Sequence, residues 1–189
     1  MKKWCGIVLC GLLCFSNVTM AAEERPHQVL KKDGAIEIRN YETITKAEVR
    51  VSGTRKDAAT HAFRQLFRYI SGGNETATKI AMTTPVAQVQ QEDGSWRICF
   101  FMPKAMTATN TPAADNTQIE IITVPDVRMA AIRFSGRANQ QLLDKKAAEL
   151  KAYLSQQNYS FNDQAVYAFY NAPFVPGFLR RNEVLFELK

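Results

Sequence analysis

A repeated pattern of strand-like and helix-like segments constrains this fold more than any other feature of the sequence. The residues VRVSG at 49–53 return as IRFSG at 132–136, and the helical stretch around Leu66 returns around Leu150. The offset is 83 residues between Val49 and Ile132 and 84 between Leu66 and Leu150. Several blocks in the same register predict a duplicated strand–strand–helix–hairpin unit.

Each half of this repeat supplies the same elements. The halves span about 35–103 and 117–189, and in the first an alternating run ends at Gly53 before a helix over 56–71. We expect one antiparallel or mixed sheet, curved or closed, with two helices packed outside it. Residues 23–32 are interpreted as a polar lead-in, and 103–116 as a mobile connection.

The first 21 residues have the pattern of a secretory signal peptide. Lys2 and Lys3 precede an apolar stretch over 4–15, and Thr19 and Ala21 provide small residues for cleavage. A lipoprotein signal is disfavoured, because leucine rather than a small residue precedes both Cys10 and Cys14. We therefore predict a single domain over 22–189, located in the periplasm or secreted, with no stable membrane insertion once the signal is removed.

Composition narrows the possible functions. Removal of the signal leaves Cys99 as the remaining cysteine, so no disulfide within the chain is expected, and Cys99 is predicted to be a buried small hydrophobic residue. The 22 remaining basic residues are scattered and exceed the 18 acidic ones only slightly. Because a nucleic-acid-binding protein needs a basic stripe, nucleic acid is not an expected partner.

The first helix has an unusually wide apolar face. On a helical wheel Ala62, Leu66 and Ile70 point toward the sheet with Ala59, while Phe63 and Phe67 lie at the rim of that face. Just beyond these rings come Arg64 and Arg68. One interpretation is a wide core face beside a solvated one. The other is a shallow groove for a flat, apolar ligand that carries carboxylates, with rings for stacking and guanidinium groups for the acids.

A proline-rich segment near the C-terminus extends this alternative. Residues 170–178 read YNAPFVPGF, and the two prolines exclude a regular strand. Phe174 and Phe178 therefore either line a groove wall or pack beneath their own loop. The two arginines that follow, Arg180 and Arg181, are expected to pair with Glu183 or with an anion.

Few residues suggest catalysis or metal binding. The two histidines, His27 and His61, are too few for a histidine-rich metal site, and His61 is a poor candidate for a haem ligand because it is predicted to face solvent. Glu183 begins an alternating strand and faces away from its apolar residues. If that face lines a cavity, the pKa of Glu183 is expected to be raised and the residue could act as a base.

Four segments together resemble the SOUL haem-binding protein family. They are IEIRNY at 36–41, YISGGN at 69–74, KIAMTTPV at 79–86 and RNEV at 181–184. The similarity spans roughly 29–188, and the order of the KIAMT-x-PV and RRNEV motifs is specific. The chain thus resembles an exported, bacterial-type member of a family with cytosolic members.

The resemblance implies a fold, a ligand and a site. The fold would be α+β, a distorted eight-stranded β-barrel with two outer helices and two pseudo-symmetric halves. The cofactor would be haem or a related porphyrin, bound non-covalently beside the first helix without a catalytic centre. The groove residues carried over by position are Phe63, Phe67 and Arg68, with the loop around Phe174 to Phe178 nearby, and Arg68 would meet a propionate.

The resemblance also leaves questions open. Some members carry histidine where this chain has Asn40, so a protein ligand to the iron at that site is not expected. Similar duplicated barrels occur in the GyrI-like family of small-molecule-binding proteins, some of which hydrolyse their ligands with a glutamate in the central cavity. Hydrolysis by Glu183 and a protein-interaction module are therefore the alternatives to a tetrapyrrole carrier or buffer.

Overall fold

The computed structural model describes residues 22–189, so the predicted signal peptide lies outside the described part of the chain. The strands are β1 (Glu23–Glu24), β2 (His27–Asp33), β3 (Ile36–Tyr41), β4 (Ile44–Val51), β5 (Thr83–Thr84), β6 (Val86–Gln90), β7 (Trp96–Phe101), β8 (Ile119–Val124), β9 (Val127–Phe134), β10 (Val166–Phe169) and β11 (Asn182–Glu187). The helices are α1 (Arg55–Ile70) and α2 (Gln140–Gln156), and a 3-10 turn spans Gly177–Leu179. Neither α1 nor α2 is long and apolar enough to cross a membrane.

The large sheet contains nine strands rather than the eight expected, in the order β2-β3-β9-β11-β10-β6-β7-β4-β8, and every pairing is antiparallel. The additional strand is β2, in the segment interpreted as a polar lead-in. Its register shifts between Val29 and Lys31, and the strand lies at the edge of the sheet, largely exposed. Six of its seven residues, which read HQVLKKD, are exposed, so no apolar–polar alternation marks the strand in the sequence.

The strand order has an internal correspondence. With β2 set aside, one end of the sheet pairs β3, the first strand of the first half, with β9, the second strand of the second half. The other end pairs β4, the second strand of the first half, with β8, the first strand of the second half. The two halves meet in the middle, where β10 pairs with β6. This order is the one expected of two equivalent units, while gene-level duplication remains a prediction from the sequence.

Both helices pack on one face of the sheet and form the main core. Leu66 and Tyr69 of α1, together with Leu150 and Leu154 of α2, are buried in one cluster with apolar residues of the strands. α1 starts where predicted, because the Thr54 hydroxyl caps it by accepting the Asp57 backbone N–H. The helical periodicity predicted the burial of Ala62, Leu66 and Ile70 correctly, whereas Ala59 is only partly buried.

The opposite face of the sheet is curled around a small interior. Tyr41 of β3 and Phe101 of β7 are separated by four intervening strands in the sheet order. Their rings nevertheless lie 4.4 Å and 4.8 Å from the same atom, Cζ of Arg25. A flat sheet would hold two strands so placed about 24 Å apart, so the sheet is strongly curled, as the expected barrel-like architecture requires.

Two connecting segments, the one after α1 and the one between β7 and β8, are hydrogen-bonded to α1. The KIAMTTPV segment returns from α1 to β6, and the Ile80 N–H donates to the Ile70 carbonyl at 2.8 Å. The long segment between β7 and β8 lacks helix and strand, yet it is tied to α1 through the Tyr69 hydroxyl, which donates to the Pro112 carbonyl at 2.8 Å. Burial raises the pKa of that hydroxyl to about 12.

Candidate functional site

Two phenylalanine rings form an exposed pair on the flank of α1. The Phe63 and Phe67 rings are nearly parallel, with an interplanar angle of 11° and centroids 5.8 Å apart. Phe63 is 40% exposed and Phe67 50%. Exposed aromatic pairs of this size are costly to leave in water, so the rim predicted from the helical wheel is present as an apolar surface.

A row of strand residues lies beneath this pair. The ring edge of Phe63 packs on Phe100 of β7, with centroids 5.4 Å apart. Phe100 pairs with Val86 of β6, and Val86 pairs with Phe169 of β10. The row crosses two interstrand spacings, about 10 Å. Phe100 is buried, whereas Val86 and Phe169 are only partly buried, so the row is partly open toward β10.

The proline-rich loop begins where this row ends. It leaves the sheet just after Phe169, and its rings project into solvent, with Phe174 88% and Phe178 77% exposed. The Arg180 side chain holds the loop in shape by donating to the Val175 carbonyl at 2.7 Å and to the Pro173 carbonyl. Packing beneath the loop, one of the two expectations for these rings, is therefore wrong, and the loop presents them outward.

The two arginines predicted at the rim line a cavity that does not include the phenyl pair. Arg64 and Arg68 are exposed and line a cavity of about 290 Å³ together with Gln65, Tyr69 and Asp115, among others. Gln65 lies about 160° from Phe63 around the helix, so the cavity opens on the flank opposite the phenyl pair. Arg64 lies only about 60° from Phe67. Of the two arginines, Arg64 is thus the one that lies near both the cavity and the phenyl pair.

A third arginine, which the sequence did not single out, borders the same surface as the phenyl pair. The Arg55 guanidinium lies 5.6 Å from the centroid of the Phe169 ring and donates to the Ala138 carbonyl at 2.8 Å. It also donates to Gln140 and Gln88. Burial lowers the pKa of Arg55. Nothing in the sequence around the first turn of α1 indicated this role for Arg55, because its partners come from three other segments.

The candidate iron ligands lie away from the phenyl pair. His61 is exposed and is placed about 160° from Phe63 around α1. His27 packs on Tyr41, with ring centroids 5.0 Å apart. Asn40 lies on β3, where it accepts from the Arg128 side chain. Within residues 22–189, no group of three His, Cys, Asp or Glu side chains is placed to hold a metal ion.

Glu183 lies on the inner face of the curled sheet, but it does not face an open cavity. The side chain is 0% exposed and receives four hydrogen bonds, two from Arg39 at 2.7 and 3.0 Å, one from Arg181 at 3.0 Å and one from the Tyr170 hydroxyl at 2.8 Å. A carboxylate has about four acceptor positions. No lone pair is therefore left for a substrate proton.

The electrostatics of Glu183 lead to the same result. Burial raises its pKa, but the hydrogen bonds and charge of Arg39, the charge of Arg181 and the hydrogen bond from Tyr170 outweigh burial and lower it. The condition for a raised pKa, a cavity on that face, is not met, and with a lowered pKa Glu183 is a weaker base than an ordinary glutamate. The expected pairing with Arg181 is confirmed, whereas the bidentate partner Arg39 was not foreseen.

The fold is of the α+β class, with a curled antiparallel sheet and two helices on one face. The sequence model of the SOUL heme-binding protein family matches residues 22–187. The chain belongs to that family.

Named relatives are found in vertebrates. Heme-binding protein 1 of Xenopus tropicalis is 29% identical over 164 residues, which cover 82% of this chain and 85% of the relative. Heme-binding protein 1 of Mus musculus is 28% identical over 176 residues, which cover 87% and 92%.

Solved structures share the fold at much lower identity. The C-terminal domain of EcmrR superposes with a TM-score of 0.65 at 8% identity, covering 86% of this chain and 98% of that domain. A hydrolase from Listeria innocua superposes with a TM-score of 0.58 at 7% identity, covering 85% and 94%. These two likenesses show the fold alone.

Proposed function

We propose that this protein binds haem or a related tetrapyrrole in a shallow groove beside α1 and acts as an exported carrier or buffer rather than an enzyme. The observation that carries the proposal is the stacked, half-exposed pair of Phe63 and Phe67. Membership of the SOUL heme-binding protein family and the names of the vertebrate relatives support haem as the ligand.

The groove has a floor and two walls in this proposal. The phenyl pair of α1 forms one wall, the row from Phe100 to Phe169 forms the floor, and the loop that carries Phe174 and Phe178 forms the other wall. A macrocycle lying over a floor about 10 Å wide would contact ring faces on both sides. Non-covalent binding follows, since apolar stacking supplies most of the contact.

Charge in the groove is expected to come from arginine. Propionates of the bound tetrapyrrole would extend toward Arg64, which lies about 60° from Phe67 around α1, and beyond it toward the exposed Arg68. No histidine is placed on the phenyl flank of α1 in the described part of the chain, so the iron would bind without an axial ligand from this helix. A catalytic role for Glu183 is disfavoured by its four hydrogen bonds and lowered pKa.

Titration with haemin, followed by the shift of the Soret absorbance band, tests this proposal. Wild-type protein should bind one haemin, and replacement of Phe67 and Arg68 by alanine should weaken binding at least about tenfold, or about 1.4 kcal/mol. Leu30→Ala is the matched control, because Leu30 is similarly exposed but lies on the edge strand β2. Unchanged affinity in the α1 variant, or an equal loss in Leu30→Ala, would place the ligand elsewhere.

A further inference from the structure

A positive charge is buried in the interior of the curled sheet, on the face opposite the helices. Arg25 is only 8% exposed, and its guanidinium lies between the rings of Tyr41 and Phe101. Tyr41 and Phe101 belong to two small apolar clusters that are separate from the core beneath α1 and α2. The interior therefore holds a planar cation between two aromatic ring faces, one from β3 and one from β7, although four strands separate these two in the sheet order.

This cation lacks the partners that a buried arginine normally has. Its Nε and Nη2 atoms are buried and have no hydrogen-bond partner among the described residues. The neighbouring carboxylates are engaged elsewhere: Glu24 accepts two hydrogen bonds from Arg181 at 2.8 Å, and Glu23 accepts from the Lys104 backbone. Burial lowers the pKa of Arg25. The guanidinium is thus positioned by its rings, while its buried donors remain uncompensated.

The segment that carries Arg25 has few attachments to the rest of the molecule. The strand β1 consists of two residues and pairs only with the two-residue β5. One further backbone bond follows, from the Arg25 N–H to the Thr84 carbonyl at 3.0 Å. The remaining strong contacts are two side-chain interactions, the Glu24–Arg181 ion pair and the hydrogen bond from the Lys104 backbone N–H to Glu23. A segment held this weakly can leave the interior without disrupting the nine-stranded sheet.

We propose that the interior of the curled sheet is a second binding site, for small planar organic cations such as guanidinium or amidinium compounds, and that Arg25 occupies it as a built-in competitor. This site lies on the other face of the sheet from the groove beside α1, and so it is independent of haem binding. The recognition chemistry is the one that the chain shows with its own side chain, a flat cation between two aromatic rings with buried polar groups nearby. An external cation would enter as residues 23–26 move out.

Chemical rescue tests the site directly. Arg25→Ala removes the equivalent of ethylguanidinium, and this compound should bind the variant at least about tenfold more tightly than wild type, because it no longer competes with a tethered guanidinium. Binding is measured as the rise in melting temperature with ligand concentration. Ethylurea has nearly the same shape without the charge, so it should give no such rise.

Two further variants separate the site from general effects of the ligand. Phe101→Leu in the Arg25→Ala background keeps an apolar wall but removes a ring face, and it should abolish the preference for ethylguanidinium. Arg133→Ala removes an exposed arginine from the same face of the sheet, and it should show no specific response to either compound. Equal responses to ethylguanidinium and ethylurea in Arg25→Ala would overturn the proposal.

Hydrogen exchange in the intact protein provides a measurement that does not depend on the folding of a variant. Binding of the external cation displaces residues 23–26, so ethylguanidinium should accelerate exchange of the Arg25 amide, which donates to Thr84. Ethylurea at the same concentration provides the baseline for the general effect of such compounds. Identical exchange rates of this amide in the two compounds would show that the cation does not enter, and the proposal would then be wrong.

Discussion

Arg39 and Glu183 form a bidentate ion pair in the interior of the molecule, although they are 144 residues apart in sequence. The Arg39 Nη1 and Nη2 atoms donate to the two carboxylate oxygens at 2.7 and 3.0 Å. The pair links β3 of the first half to β11 of the second across the intervening strand β9. Neither side chain is accessible to water, so both charges need compensation inside the protein. Each has one further charged partner, since Arg39 also pairs with Glu37 at 2.8 Å and Arg181 also donates to Glu183.

Replacing Glu183 with glutamine should therefore destabilise the fold strongly. The amide retains the size of the side chain but removes the bidentate counter-charge of the buried Arg39, which then keeps only the partly exposed Glu37. The expected cost is about 3 kcal/mol in the free energy of unfolding. Urea denaturation gives this quantity. Glu187→Gln, at the exposed end of the same strand, is the control and should change stability by less than about 0.5 kcal/mol. A similar small change in both variants would show that the interior pair does not stabilise the fold.

The same pair should make stability depend on acid pH. The pKa of Glu183 in the folded protein is lowered by Arg39, Arg181 and Tyr170 against the opposing effect of burial. A carboxyl group with a lowered folded pKa contributes stability above its unfolded pKa, near 4.3, and this contribution is lost as pH falls through the folded value. The free energy of unfolding should thus be constant near neutral pH and fall below about pH 4.

The pH profile of the Glu183→Gln variant identifies the group responsible. Without the titrating carboxyl, the loss of stability on acidification should be smaller than in wild type. Glu37, whose pKa is also lowered by Lys32 and Arg39 despite burial, would supply the dependence that remains. If wild type and variant lost the same free energy between neutral and acid pH, the lowered pKa of Glu183 would be contradicted.

The outward-facing rings of the proline-rich loop provide a test of the second groove wall. Replacing Phe174 and Phe178 with serine should leave the free energy of unfolding within about 0.5 kcal/mol of wild type, because both rings are exposed. Haemin affinity should nevertheless fall, since a stacking surface is lost. Leu30→Ser is the control for removal of an exposed apolar side chain. Unchanged haemin affinity in the loop variant would remove this loop from the site.

The elements set by local periodicity were predictable from the sequence. The 3.6-residue period of α1 placed Leu66 inside and Phe63 and Phe67 at the rim, and the structure agrees on all three. The period of two likewise put Glu183 of β11 on the face opposite Val184 and Phe186, which pack in the core beneath the helices. No such period marks β2, because this edge strand is mostly polar and exposed on both faces. The predicted lead-in was therefore wrong for a local reason.

Long-range pairing was not predictable from one sequence. The pattern around Glu183 indicated a nearby arginine, and Arg181 is a partner, but the choice of Arg39 depends on the order of strands in the sheet. The helical wheel likewise put Arg64 and then Arg68 beyond Phe67 without showing that Asp115, from a distant loop, lies on the arginine side. The burial of Arg25 had no sequence signal, because it requires the sheet to curl.

The thiol of Cys99 should report both on the fold and on the predicted signal peptide. Cys99 is buried beside Ala87 and Phe101, and burial raises its pKa to about 11, so in the native protein it should react with a disulfide reagent only during opening of the structure. In denaturant, each chain should release one equivalent of thiol product if residues 1–21 have been removed, because the other three cysteines lie in that segment. Four equivalents would contradict signal removal, and rapid native reaction of one equivalent would contradict the burial of Cys99.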